Sequence, residues 1–312
     1  MFRLFDKKKK PETEDGVIVV RKPEPNACGG TTETRDTRAP KTIVSEEMIL
    51  FDVTSALPVS AKRGEESLGY LSAFAAPCGE GTFLLLETGE GFRRRAEKTL
   101  SWALVRENVF PALVRLTKEL DLAADNGRHL STAGLPENFG GSVMIRYASG
   151  ETVSFSDNQR PILSAGAGER IAALFAGAME GERIPLPDPD ALREIRFSEE
   201  RKNGGYTRAS LTLNADGTGV NRKTSRYDGP QVYESEKPVD AGTVAMIRKT
   251  VGETGLFAWP GLPVSDYKPY SEKTLTFVLE GGEEIAVPGD RLLPDQIRDG
   301  FFRIELELAT KH

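Results

Sequence analysis

The chain has 312 residues, of which 38% are hydrophobic and 15 are Phe, with a net charge of −6 and a pI near 5.3. This length exceeds one ordinary core, the apolar content excludes global disorder, and the acidic balance argues against a general nucleic-acid binder, whose phosphate contacts need a basic surface.

Residues 1–41 combine charge runs with proline and glycine punctuation, too polar to offset the entropy of ordering, and read as a flexible tail. The basic run Lys7–Lys10 is followed only by the short apolar stretch Val17–Val20, so it is no secretory signal. No stretch reaches the roughly 20 apolar residues that a membrane span needs, and a cytoplasmic protein is expected. Cys28 and Cys78 are too few for a disulfide scaffold and lack metal-ligand spacing, so neither a metal nor another cofactor is expected.

A strand with alternating apolar positions is expected in EEMILFDV (46–53) and again in ALREIRF (191–197). Residues 54–81, rich in Ala, Ser and Gly, read as an insertion after the first of these. LLLETGEGFRRR (84–95) then aligns with TLNADGTGVNRK (212–223) as a hairpin, which places Gly89 and Gly91 on Gly217 and Gly219. The FRRR run at 92–95 reads as a solvated face.

A helix follows each time. Val109, Leu113, Leu116 and Leu120 form one apolar stripe behind Asn108, and Val244, Ile247 and Val251 form another behind Asp240. The helices run into LAADNG (122–127) and LFAWPG (256–261). Two further hairpins come next, VMIRYASGETVSFSDN (143–158) and LTFVLEGGEEIAVPGD (275–290), with Gly150 matching Gly282. Ile171, Leu174, Phe175 and Ala178 mark one closing helix. Ile297, Phe301, Ile304 and Leu308 mark the other, with Pro294 near its first turn.

The same landmarks recur in the same order. The expected fold is therefore α+β, with two tandem diverged repeats at 42–182 and 191–312 joined by a linker at 183–190. Each repeat is an antiparallel sheet with helices packed on one face.

Chemistry is sparse. His129 beside Arg128 reads as a solvated loop residue, and no G-x-S-x-G or H-E-x-x-H motif is present. Cys78 has no histidine or helix N-terminus to activate it. SAGAGER (164–170) lacks the Walker spacing and lysine, and reads as punctuation before a helix rather than a phosphate cradle. The most distinctive segment is LFAWPGLPVSDYKPY (256–270). Its Trp259, Tyr267 and Tyr270 stand on a proline-stiffened loop and are the binding candidates, with Trp259 expected to be mostly buried as a core plug and at least one of the tyrosines exposed.

Leu256, Trp259, Gly261, Gly282 and Pro294 together give the second half a pattern that resembles uncharacterised bacterial proteins of a family with no assigned function. The first half lacks the Trp, and the resemblance implies no activity. The functional expectation is a non-enzymatic binding protein of unknown partner, a protein or another molecule but not a nucleic acid. The alternative is a hydrolase-like enzyme with its site in a cleft between the repeats.

Overall fold

The computed structural model describes residues 12–14, 17–22, 30–58, 69–90, 98–133, 140–227, 229–259, 271–289 and 295–310. The chain forms two units, Met1–Arg183 and Ile184–His312. Among the described residues no helix is long and apolar enough to cross a membrane.

The first unit is built on a ten-stranded sheet. Its strands are β1 (Glu12–Glu14), β2 (Val17–Lys22), β3 (Thr31–Asp36), β4 (Met48–Ala56), β5 (Tyr70–Cys78), β6 (Gly81–Gly89), β7 (Lys98–Val105), β8 (Arg128–Thr132), β9 (Gly141–Tyr147) and β10 (Thr152–Asp157). They lie in the order β1-β2-β3-β8-β10-β9-β4-β5-β6-β7. The pairs are antiparallel except β8 with β10, a short parallel ladder in which Ser156 faces His129, so the expected all-antiparallel sheet is corrected at that point.

Helices α1 (Phe110–Glu119) and α2 (Ala165–Met179) cover the core face. Asn108 Oδ1 accepts from Phe110 N at the start of α1, and the stripe Val109, Leu113 and Leu116 is buried. Ser164 caps α2 by accepting from Ala167 N. At Gly168 a Cβ would lie 2.6 Å from Leu57 Cδ1, so this glycine of SAGAGER lets the helix close onto Leu57. Phe175 meets Phe51 of β4 with ring centroids 5.9 Å apart.

Two sequence readings need correction here. Among its described residues the expected insertion 54–81 includes the end of β4 and all of β5, which stand in the sheet. Leu71, Ala73 and Ala75 face the helices while Phe74 and Ala76 are buried on the other side. A strand buried on both faces shows no polar alternation, and its small residues imitate a loop. This also shifts the hairpin alignment. Gly217 lies between the strands Tyr206–Leu213 and Gly219–Arg226, and by strand order the glycine in the same place in the first sheet is Gly79 between β5 and β6, not Gly89.

The expected flexible tail 1–41 is corrected over its described residues, 12–14, 17–22 and 30–41. β3 pairs with β8, and β2 and β1 extend the same edge. Asn126, only 2% exposed, donates through Nδ2 to Pro40 O and to Thr152 O, both at 2.8 Å, and accepts at Oδ1 from Ser154 N at 2.7 Å. Its own carbonyl accepts from Lys41 Nζ. Glu33 lies between Arg35 and Arg128. Burial pushes its carboxyl up, but the two guanidinium groups outweigh that and hold it below its ordinary range. Composition misled because a strand held by backbone ladders and polar side chains needs little apolar area.

The second unit carries β11 (Leu192–Arg201), β12 (Tyr206–Leu213), β13 (Gly219–Arg226), β14 (Tyr233–Val239), β15 (Ser271–Leu279) and β16 (Glu284–Pro288), in the order β14-β13-β12-β11-β15-β16. Helix α3 (Ala241–Thr254) follows β14. Helix α4 (Asp295–Glu305) passes into a π-turn at Leu306–Thr310. Val244, Ile247, Val251, Phe301 and Ile304 are buried, as are Ile195, Phe197, Leu275 and Phe277 of the sheet. On the opposite sheet face charged pairs stand in solvent, among them Arg196 with Glu284 at 2.8 Å.

Six strands of the first sheet, β7-β6-β5-β4-β9-β10, read in the same order as the whole second sheet. A bulge interrupts β4 against β9 between Met48 and Leu50, and another interrupts β11 against β15 between Leu192 and Glu194. The turns after β9 and β15 share their bonds. Gly150 N donates to Tyr147 O and Gly282 N to Leu279 O, with φ of 88° and 86° respectively.

Tyr147 supplies an alkaline test of the first core. Burial, then the charge of Glu151, pushes its phenol up from 10.0 to about 12. Between those values the unfolded chain loses its proton first, so stability should be intact below pH 10 and fall as pH rises toward 12. The loss should be about 2–3 kcal/mol. Denaturant melts across that range should show the decline, and Tyr147→Phe should flatten it. An equal decline in the variant would remove Tyr147 as its source.

Candidate ligand pocket in the second unit

Register allows the two sheets to be compared residue by residue. One row across the core face of the first sheet reads Ile145, Phe51, Ala75, Leu84, Ala103. The row in the same place in the second sheet reads Phe277, Ile195, Leu211, Asn221, Lys237. In the next row Val53, Ala73 and Leu86 are matched by Phe197, Ala209 and Lys223. Three positions that are apolar in the first unit, Leu84, Leu86 and Ala103, are thus Asn221, Lys223 and Lys237 in the second.

These side chains stand where core residues would. Asn221 is 2% and Lys223 7% exposed. Asn221 Nδ2 donates to Leu308 O at 2.9 Å, and Lys223 Nζ donates to Ala309 O at 3.0 Å. Both therefore satisfy carbonyls at the end of the π-turn, where a cation is also favoured by the helix dipole. Burial, and then the charge of Lys237, pushes the Lys223 ammonium below its ordinary value. Asn221 Oδ1 is buried and has no partner among the described residues. An orphaned acceptor of this kind costs about 1–3 kcal/mol.

Asn221 borders a cavity of 230 Å³. Lys237, Asp240, Thr243 and Glu307 supply the rest of its polar wall, and Leu211 and Ile247 its apolar floor. Asp240 is committed to α3, accepting from Thr243 N at 2.9 Å and from Thr243 Oγ1 at 3.0 Å. Those bonds hold its carboxyl below the ordinary range. Lys237 makes no ion pair among the described residues. The pocket can hold a small polar molecule. Its wall offers the Lys237 ammonium and the Asp240 and Glu307 carboxylates, with no nucleophile–base pair among the described residues.

Toward the other end of the same face, an ion network ties α4 to the sheet. Lys273 Nζ lies 2.6 Å from Glu305 and 3.9 Å from Glu199. Arg201 pairs with Glu199 and donates to Thr207 Oγ1 at 3.1 Å. The charges balance, and the role is to anchor the helix.

Of the binding candidates named from sequence, Trp259 lies among the described residues. Trp259 is 4% exposed, so it belongs to the core of the second unit rather than to a contact surface. Tyr267 and Tyr270 lie outside the described residues, as do Gly261 and Pro294. Among the described residues Tyr227 and Tyr233 form an exposed aromatic pair, with ring centroids 6.1 Å apart. His129 is not a loop residue. It sits half-buried on β8 with Nδ1 3.0 Å from Ser156 Oγ, and burial pushes it below its ordinary value. Cys78 is half-buried, and burial raises its thiol away from the reactive thiolate. Among the described residues no group of three or more His, Cys, Asp or Glu could hold a metal ion.

Asn221 and Lys223 escaped sequence reading because β13, GVNRKTSR, shows no apolar alternation, and Lys237 because β14, YESEKPV, shows none either. The signal was recoverable only from correct register, in which β13 lies on β6 rather than on residues 84–95. Comparison with protein-family models, and with curated proteins, finds no match.

Proposed function

We propose that the protein is a non-enzymatic binding protein made of two diverged copies of one α+β unit, the first kept as a packed scaffold and the second holding a small polar molecule. The shared strand order, the bulges on the same ladder and the matching turn bonds support descent from one unit. The observation that carries the binding role is Asn221. A carboxamide with a buried, unpartnered oxygen beside a cavity stands where the other sheet has Leu84. Such a departure from a workable apolar core is costly, and functional sites are where local rules are broken.

Thermal-shift measurements on the full chain with millimolar amino acids, hydroxy acids, polyols and inorganic phosphate test this reading. At least one class should raise the melting temperature of the wild type. It should have no effect on the variant Asn221→Leu/Lys223→Leu/Lys237→Ala, which writes the first unit's row into the second. No shift from any class, or an equal shift in the variant, would overturn it.

A protein partner is the second reading. The exposed group Tyr227, Val232 and Tyr233 favours it, since tyrosine is enriched at interface hot spots.

A further inference from the structure

We propose that the outer edge of β16 docks an extended segment of a protein partner, which joins the second sheet as a parallel strand. Neither the pocket nor Asn221 enters into this.

The two sheets treat the same strand differently. In the first sheet β10 is an interior strand, with β8 parallel on its outer side. Its counterpart β16 ends the second sheet, and no strand lies beyond it among the described residues. Matching Gly150 with Gly282 sets Thr152 on Glu284 and Ser154 on Ala286. The phase of the hydrogen bonds agrees. Tyr147 N donates to Glu151 O and Leu279 N to Glu283 O, so in each hairpin the even-numbered residues of the second strand point their backbone groups outward.

In the first unit three of those outward groups are held by two neighbouring residues. Asn126 Nδ2 donates to Thr152 O, Asn126 Oδ1 accepts from Ser154 N, and Gly127 N donates to Ser154 O at 2.7 Å. The same groups in the second unit are Glu284 O, Ala286 N and Ala286 O. They have no partner among the described residues, and both residues are exposed. An acceptor, a donor and an acceptor in line at strand spacing are what the backbone of an extended chain completes.

Native sheets blunt such an edge with lysine, inward-pointing charge or proline. β16, EIAVP, has apolar residues at its inward positions, Ile285 and Val287, and its proline stands at the end. Ile285 is only half-buried, so the arriving segment carries an apolar side chain on the helix side. β14, the opposite edge, offers no such contrast, because its counterpart β7 is an edge as well.

Hydrogen exchange and chemical shifts of the full chain, read residue by residue by NMR, test this. The probe is the peptide DNGRHLSTA, residues 125–133, whose Asn126 and Gly127 hold the matching edge in the first unit. Without peptide the Ala286 amide should exchange at least about a hundredfold faster than that of Ser154. Millimolar peptide should slow it about tenfold or more. Ala286→Pro removes the outward donor and spares the pairing with β15, so the melting temperature should hold while the peptide binds about tenfold more weakly, judged by shifts of Ile285 and Val287. A peptide with sarcosine in place of Gly127 should lose about fivefold, and that check does not depend on a variant folding. Exchange at Ala286 unmoved by peptide, or equal binding by Ala286→Pro, would overturn the proposal. Protection of Ala286 before peptide is added would do so too. It would assign the edge to a second copy of the chain where it grows with protein concentration, and to residues 260–270 where it does not.

Discussion

Replacing Asn126 by Ala should destabilise the first unit by about 3 kcal/mol, measured by chemical denaturation. The side chain makes three hydrogen bonds to backbone groups, each worth about 1 kcal/mol net, and its removal leaves Pro40 O, Thr152 O and Ser154 N to find other partners. The effect should also be local. Amides of β3 should exchange much faster with solvent, because Asn126 is what fastens the segment before β4 to β10. Asn126→Asp keeps the acceptor for Ser154 N and loses both donors, so it should fall between wild type and Ala. A loss below about 1 kcal/mol with unchanged exchange at β3 would mean that backbone pairing alone holds this edge.

Lys273→Met should cost the second unit about 3 kcal/mol. The ammonium sits between Glu305 and Glu199, whose side chains are 12% and 13% exposed, and its removal leaves Glu305 without its cation and Glu199 with Arg201 alone, in a site largely closed to water. Breaking a buried pair from one side costs about 3–5 kcal/mol, against about 1 kcal/mol or less for a surface pair. Adding Glu305→Leu should restore much of the loss, since an apolar substitute for the whole pair is often tolerated. A Lys273→Met loss no larger than that of a surface pair, with no recovery in the double variant, would show that water reaches the network.

What the sequence made legible follows from where alternation survives. Helix stripes such as Val109, Leu113 and Leu116, and the half-buried strand at Val143, Ile145 and Tyr147, announce themselves because one face meets water. β5 does not, since Phe74 and Ala73 are both fully buried and nothing polar marks its period. β3 fails for the opposite reason, its residues being polar throughout and its order coming from a ladder and from Asn126. The pocket was hidden twice over. Asn221 and Lys223 break the apolar rule on their own strand, and the row that would expose the break can be read only once β5 is recognised and β6 is set against β13.

The most direct measurement is the unfolding free energy of the full chain carrying Asn221→Leu/Lys223→Leu/Lys237→Ala. If the polar row serves a ligand, the fold does not need it. Burying two leucines adds about 1.5–3 kcal/mol each, which offsets the two carbonyl caps to Leu308 and Ala309 at about 1 kcal/mol each. A pocket kept for binding therefore predicts a variant at least as stable as the wild type. A loss of several kcal/mol would contradict it, and would assign Asn221 and Lys223 to holding the π-turn in place.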